Sequence, residues 1–194
     1  MSRSLRALIL VLILAACSGG NNEPPEDLDN ACAIADERND YMTAMRLAQR
    51  KWGVPVHVQM ATIYQESKFI SNAKTPRRYA LGFIPRGRQS SAYGYAQALD
   101  GTWEDYQKST GRYGARRDDM FYAADFMAWY MAGTNRSLGI PLNDAKNQYL
   151  AYHEGRTGYS RGSHKSKSWL LRIAAEVGQR SERYRRQLIN CGKA

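Results

Sequence analysis

Residues 58–69, VQMATIYQESKF, constrain this chain more than any other stretch. Val58, Ala61 and Thr62 recur at helical spacing on one side, and Met60, Ile63 and Tyr64 do so on the other. A helix that is apolar on both faces belongs inside a fold, enclosed by other elements. This one ends by delivering a single carboxylate, Glu66. Poor solvation there favours the neutral acid, and the negative end of the helix dipole opposes a second negative charge. An acid that stays protonated near neutral pH can act as a general acid. The remaining chain is therefore read for what it builds around Glu66.

The front end is not part of that fold. Arg3 and Arg6 precede an apolar run from Ala7 to Ala16, too short to span a bilayer and flanked like a secretory signal. The run ends Leu14-Ala15-Ala16-Cys17 and continues into a polar Ser-Gly-Gly-Asn-Asn stretch. This resembles a bacterial lipobox, which implies cleavage after residue 16 and a lipid on Cys17. Ser18 in the next position resembles lipoproteins sorted to the outer membrane. Residues 17–30 are rich in Gly, Asn, Pro and acids and predict a disordered tether. The mature chain keeps two further cysteines, Cys32 and Cys191, and an oxidising compartment predicts a disulfide between them.

From residue 31 onward helical patterns dominate and the fold class is mainly α. One helix is predicted from Ala31 to about Lys51, ended by Gly53 and Pro55, and a second over about 55–67. Residues 68–93 hold no strong helix pattern and no strand period, and their segment 77–89 is basic and aromatic, as a binding loop or lid would be. Further helices are predicted over about 101–108, 118–132, 143–152 and 167–189, with a Gly/Ser/Arg-rich loop at 155–166. The formal charge of +10 falls to about +8 without residues 1–16. In an exported protein that charge raises encounter rates with anionic wall and lipid surfaces and does not point to nucleic acid. Arg180, Arg183, Arg185 and Arg186 read most simply as a solvated basic face.

Three short patterns stand at the ends of these segments: Glu66-Ser67, then Gly94-Tyr95-Ala96-Gln97, then Ala151-Tyr152-His153-Glu154-Gly155. In this order they resemble the soluble lytic transglycosylase domain, a lysozyme-like fold that cleaves peptidoglycan. That family shows Glu-Ser, Gly-Leu-Met-Gln and Ala-Tyr-Asn-x-Gly. The resemblance covers residues 40–188 and implies a helical domain over 31–194 with a central helix carrying the catalytic acid. It implies Glu66 as acid and base, Ser67 as a group that orients it or meets substrate, and Gln97 as a sugar-binding amide held by the turn at Gly94. It places Tyr152 close to the Glu66 carboxyl and puts Tyr95 in the substrate-binding set. Departures are Tyr95-Ala96 for Leu-Met, His153 for Asn, and a longer segment between Glu66 and Gly94.

Other chemistries fit less well. His57, His153 and His164 are the only histidines and make no metal-binding pattern, so neither metal nor cofactor is expected. Ser90 and Ser91 lack a Gly-x-Ser-x-Gly elbow. Asp100, Glu104 and Glu154 lie near the motifs, and one of them holding a water would make a hydrolytic muramidase instead. A non-catalytic peptidoglycan-binding lipoprotein is the alternative from another class. Together these features predict an exported, lipid-anchored, monomeric domain on the periplasmic face of the outer membrane, acting on peptidoglycan glycan strands.

Overall fold

The computed structural model describes residues 23–194. Residues 1–16 and Cys17 lie outside them. The described chain forms seven α-helices: α1 Ala31–Glu37, α2 Asn39–Trp52, α3 Val56–Ser67, α4 Asp100–Thr110, α5 Met120–Leu138, α6 Ala145–Ser160 and α7 Ser168–Asn190. A short 3-10 turn, Ser163–Ser166, links α6 to α7, and a β-hairpin of β1 Arg77–Ala80 and β2 Ile84–Arg88 follows α3. Among the described residues no helix is long and apolar enough to cross a membrane.

Helix α3 occupies the centre. Val58, Met60, Ala61, Thr62 and Ile63 have no exposed surface, and α2, α5, α6 and α7 all pack against it. Pro55 sets its start with φ −60 and ψ 145. Its one buried amide, Gln59, donates to the carbonyls of Met45 at 3.0 Å and Val54 at 2.8 Å, which fixes the α2–α3 turn. A second buried polar group joins the periphery. Asp125 of α5 accepts from the indole of Trp52 at 2.9 Å and the hydroxyl of Tyr106 at 2.7 Å, so it ties α2 and α4 to α5. A buried carboxylate is tolerated when donors surround it in this way.

Several elements differ from their sequence expectations. The helix predicted over 31–51 breaks at Arg38, whose φ −127 and ψ 66 are not helical. Residues 77–89 hold strands after all, too exposed on both faces to show an apolar alternation. Helix α5 runs on through Gly133 to Leu138, and the glycine leaves space for Arg156: an added Cβ would lie 2.4 Å from the Arg156 Nη2. The predicted loop 155–166 is largely helical, since α6 resumes after a single non-helical residue, Gly155 with φ 73 and ψ 157. The end of the predicted tether is docked. Leu28 packs on the core, and Asp29 pairs with Arg180 at 2.7 Å and Arg183 at 3.4 Å. Arg180 is thus not a solvated arginine: its side chain is 13% exposed and its guanidinium lies 3.4 Å from the centre of the Tyr64 ring.

Cys32 of α1 and Cys191, after α7, are joined in a disulfide across 159 residues. Gln187 reinforces the junction by accepting from the Ala31 amide and donating to the Asp29 carbonyl. The paired variant Cys32→Ser/Cys191→Ser should therefore fold but lose about 2–5 kcal/mol of stability. Thermal melts of oxidised wild type, reduced wild type and the double variant check this, with the last two expected to coincide.

Candidate functional site

Glu66 lies in the last turn of α3 and is only partly exposed. The helix stops just beyond it because Lys68 and Phe69 both take left-handed backbone, with φ 54 and 62. Phe69 is fully buried and stacks on Tyr41 with ring centres 6.0 Å apart, which holds this unusual turn in place. The Glu66 carboxyl meets one hydrogen-bonding side chain, the hydroxyl of Tyr149. Burial pushes its pKa up to about 8. The Tyr149 hydrogen bond and the nearby Lys68 charge act in the opposite direction and are outweighed. Glu66 is thus a carboxyl group that keeps its proton at neutral pH.

The second pattern is bound to the chain that leaves α3. The Ala73 carbonyl accepts from the Gly94 amide at 3.0 Å and from the Gln97 side-chain amide at 3.0 Å. Gly94, with φ 81, also touches the next segment so closely that an added Cβ would sit 2.1 Å from the Arg117 carbonyl oxygen. No other residue fits there. Gln97 takes φ 47, and its Nε2 donates again to the Gly94 carbonyl at 2.8 Å. Both amide hydrogens are thereby engaged, and Oε1 is the atom through which Gln97 can meet a ligand.

The third pattern is clamped on the second. The Tyr152 hydroxyl donates to the Ala96 carbonyl at 2.5 Å, and its ring meets Tyr130 edge-on at 5.2 Å. Burial raises the Tyr152 pKa, and the Glu66 charge is the next cause, so the two groups are neighbours. Tyr152, Gln97, Thr102, Phe126 and His153 line a groove of about 230 Å³. A larger groove of about 550 Å³ runs between Tyr41, Ser71 and Asp118. The smaller one carries residues of two of the three patterns; Glu66 is not among the residues lining either groove and adjoins the smaller one through Tyr152.

Two predicted site residues face elsewhere. Ser67 is buried and donates to the Ile63 carbonyl of its own helix at 3.2 Å, the usual back-bond of a helical serine. Tyr95 is 2% exposed, and its hydroxyl lies 2.8 Å from that of Tyr41. Ser67 is thus turned back on its own helix, while Tyr95 lines the larger groove between Tyr41 and Ser71. Tyr149, in contrast, is absent from the three patterns. Its position three residues before Tyr152 on α6 puts it on the same helix face, and that spacing is the signal that could have revealed it.

The other acids near the groove are otherwise engaged. Glu154 accepts from Lys167 at 2.8 Å and from Ser163, with His153 Nδ1 3.0 Å away. The hydrogen bonds from Lys167 and Ser163 hold its pKa down to about 2, so it stays a carboxylate. Asp100 pairs with Arg117 at 2.8 Å, and Glu104 with Lys108 at 3.7 Å. Among the described residues no group of three or more His, Cys, Asp or Glu is placed to hold a metal ion.

No curated protein matches the chain significantly. The family model described as "Transglycosylase SLT domain" matches residues 5–191, nearly the whole sequence. With a mainly helical fold and the three patterns joined around one glutamate, the chain belongs to the transglycosylase SLT domain family.

Proposed function

We propose that the protein is a peptidoglycan lytic transglycosylase that cleaves the β-1,4 bond between N-acetylmuramic acid and N-acetylglucosamine without water. The observation that carries this reading is the place of Glu66 in the last turn of the enclosed helix α3, where burial pushes its pKa up to about 8 and no second carboxylate is among the groups that shift it. Its family membership supplies the substrate class.

In this mechanism Glu66 gives its proton to the glycosidic oxygen as the bond to C1 of the muramic sugar breaks. The sugar's own N-acetyl oxygen bonds to C1 and takes up the developing positive charge. The Glu66 carboxylate then removes the proton of the sugar's 6-hydroxyl, O6 displaces the acetamido oxygen from C1, and a 1,6-anhydro product leaves. Glu66 ends protonated as it began. The first step needs a neutral acid and the second needs a carboxylate. Burial favours the former, and the Tyr149 hydrogen bond favours the latter. Gln97 Oε1 is suited to accept from the N-acetyl N–H, and the aromatic wall of Phe126 and Tyr152 to exclude water.

A hydrolytic muramidase would need a second carboxylate to hold a water. Glu154 is the nearest in sequence to Tyr152, and Lys167 and Ser163 already occupy its oxygens. A binding protein without turnover has no use for a carboxyl group kept neutral at the cost of desolvation. For location, the proposal keeps Cys17 as a lipid anchor that holds the enzyme at the periplasmic face of the outer membrane. Replacement by Cys17→Ser should move the protein from the membrane to the soluble fraction on cell fractionation. Unchanged membrane association would reject the anchor.

Glu66→Gln should lower cleavage of purified sacculi by at least about 10²–10⁴-fold. Mass spectrometry of the wild-type digest should show anhydro-muramic ends; reducing ends would show hydrolysis. The same substitution has a stability signature. The folded-state pKa of about 8 lies above the ordinary 4.5. Between those values the unfolded chain releases a proton that the folded chain keeps, so wild-type stability falls as pH rises. Glu66→Gln lacks that loss and should be the more stable protein above pH 5, by a margin that widens up to about pH 8. Denaturant titrations at several pH values read this directly.

Tyr149→Phe removes the one hydrogen bond that favours the Glu66 carboxylate. The alkaline limb of kcat/KM, which wild type should show near pH 8, is expected to move to higher pH while kcat falls about tenfold. An unshifted limb would show that Tyr149 does not act on Glu66.

A further inference from the structure

The hairpin of β1 and β2 is the one regular element that packs against no helix of the domain. It is fastened only at its base, where the Thr75 hydroxyl donates to the Ser90 carbonyl at 3.0 Å and Arg88 to the Thr75 carbonyl at 2.6 Å. Its apolar side chains are consequently turned outward. Leu81 is 82% exposed, Phe83 73%, Tyr79 55% and Ile84 45%. Leu81 also sits at φ 52 beside Gly82 at φ 80, so a bulky apolar residue caps the turn in a backbone region it rarely adopts. Clustered exposed apolar side chains mark a surface that meets something.

Charge narrows what that is. Between Glu66 and Asp100 the sequence has no acid, while Arg77, Arg78, Arg86 and Arg88 stand on the hairpin itself. All four are exposed, and none is paired with an acid among the described residues. Arg77 and Arg88 are directly opposite across the strands. Like charges in that register repel and are relieved by an anion between them. The pattern is an apolar tip with cations behind it. A second copy of this hairpin would bring cations against cations. Tyr79 and Phe83 offer faces to a glycan, but the aliphatic Leu81 and Ile84 beside them offer a sugar no hydrogen bond and suit an apolar layer.

We propose that the hairpin is a membrane-contact element: Leu81, Phe83 and Ile84 enter the interfacial layer of an anionic bilayer while Arg77, Arg78, Arg86 and Arg88 meet lipid phosphates. Shallow insertion of apolar residues and attraction of nearby arginines to anionic lipid act together in such contacts. The contact is distinct from an acyl anchor at the N-terminus and independent of the cleavage chemistry. It would fix the orientation of the domain on the surface, since the hairpin begins only ten residues after the acid-bearing turn.

The test places a reporter in the tip itself, so that attachment through the N-terminal segment does not mimic it. In the full chain, Phe83→Trp emission, with wild-type emission subtracted, should shift to the blue with vesicles of equal phosphatidylglycerol and phosphatidylcholine. Brominated lipid should quench it. Vesicles of phosphatidylcholine alone should produce neither effect. Replacing arginines with serine in the Phe83→Trp background should weaken the lipid dependence about fivefold for each arginine removed. Circular dichroism should stay unchanged, because the hairpin supports no helix. Emission that is unaffected by anionic vesicles, or that responds to purified sacculi and not to vesicles, overturns the proposal.

Discussion

Enclosure of α3 is the constraint on which the rest depends. A helix without a polar face gains stability only where other elements cover it on every side, and α2, α5, α6 and α7 do so. That arrangement leaves little room for polar atoms, and two buried side chains are used to join elements. Gln59 reaches two carbonyls, and Asp125 gathers the Trp52 and Tyr106 donors. The same enclosure that stabilises the helix penalises an ionised carboxyl group in its final turn. Fold stability and the protonated state of Glu66 thus have one physical origin. They also oppose each other, because the acid is the residue the enclosure tolerates least.

The three short patterns work as a linked frame more than as a row of ligand contacts. Ala73, just past the acid, accepts two hydrogen bonds from the second pattern, and Ala96 of that pattern accepts from Tyr152 of the third. Gly94 and the Gln97 amide hydrogens are used in making these joints. Side chains in such positions set distances between segments that are far apart in sequence. The groove between Gln97 and Tyr152 follows from them, and the disulfide and Gln187 close the opposite end of the chain against α7.

Much of this was legible in the sequence because it rests on local signals. The apolar spacing of residues 58–69 marks a central helix, and the glycine at 94 marks a turn where a side chain cannot fit. Tyr149 lies outside the three patterns and was legible only through its helical spacing from Tyr152, since its role comes from its place beside Glu66 in the fold. Ser67 is turned to the Ile63 carbonyl of its own helix, and adjacency to Glu66 in sequence says nothing of which way its side chain turns. Gly133 looked like a helix end and instead makes room for Arg156. The hairpin escaped a period search because neither of its faces is buried. Polar composition hid the docking of residues 28 and 29, which depends on Arg180 and Tyr184 some 150 positions away.

Two glutamates near the third pattern are driven toward opposite protonation states. Glu66 has one neutral hydrogen-bond donor and is pushed toward the proton-bound form. Glu154 has an ammonium group, a hydroxyl and an imidazole around it and is held as a carboxylate with a pKa of about 2. His153, where the related domains carry Asn, is turned to Glu154 and meets Trp169 edge-on at 5.4 Å. It therefore belongs to the Glu154 cluster, and its amide-to-imidazole exchange leaves the surroundings of Glu66 to the tyrosines. An acid and a carboxylate near one groove would ordinarily invite a two-carboxylate hydrolysis. Here the carboxylate's oxygens are filled by Lys167 and Ser163, which in the proposed reaction leaves Glu66 as the base after bond cleavage. On the proposed mechanism, a single group that serves as acid and then base, next to a sugar that carries its own nucleophiles, is the condition under which ring closure replaces attack by water.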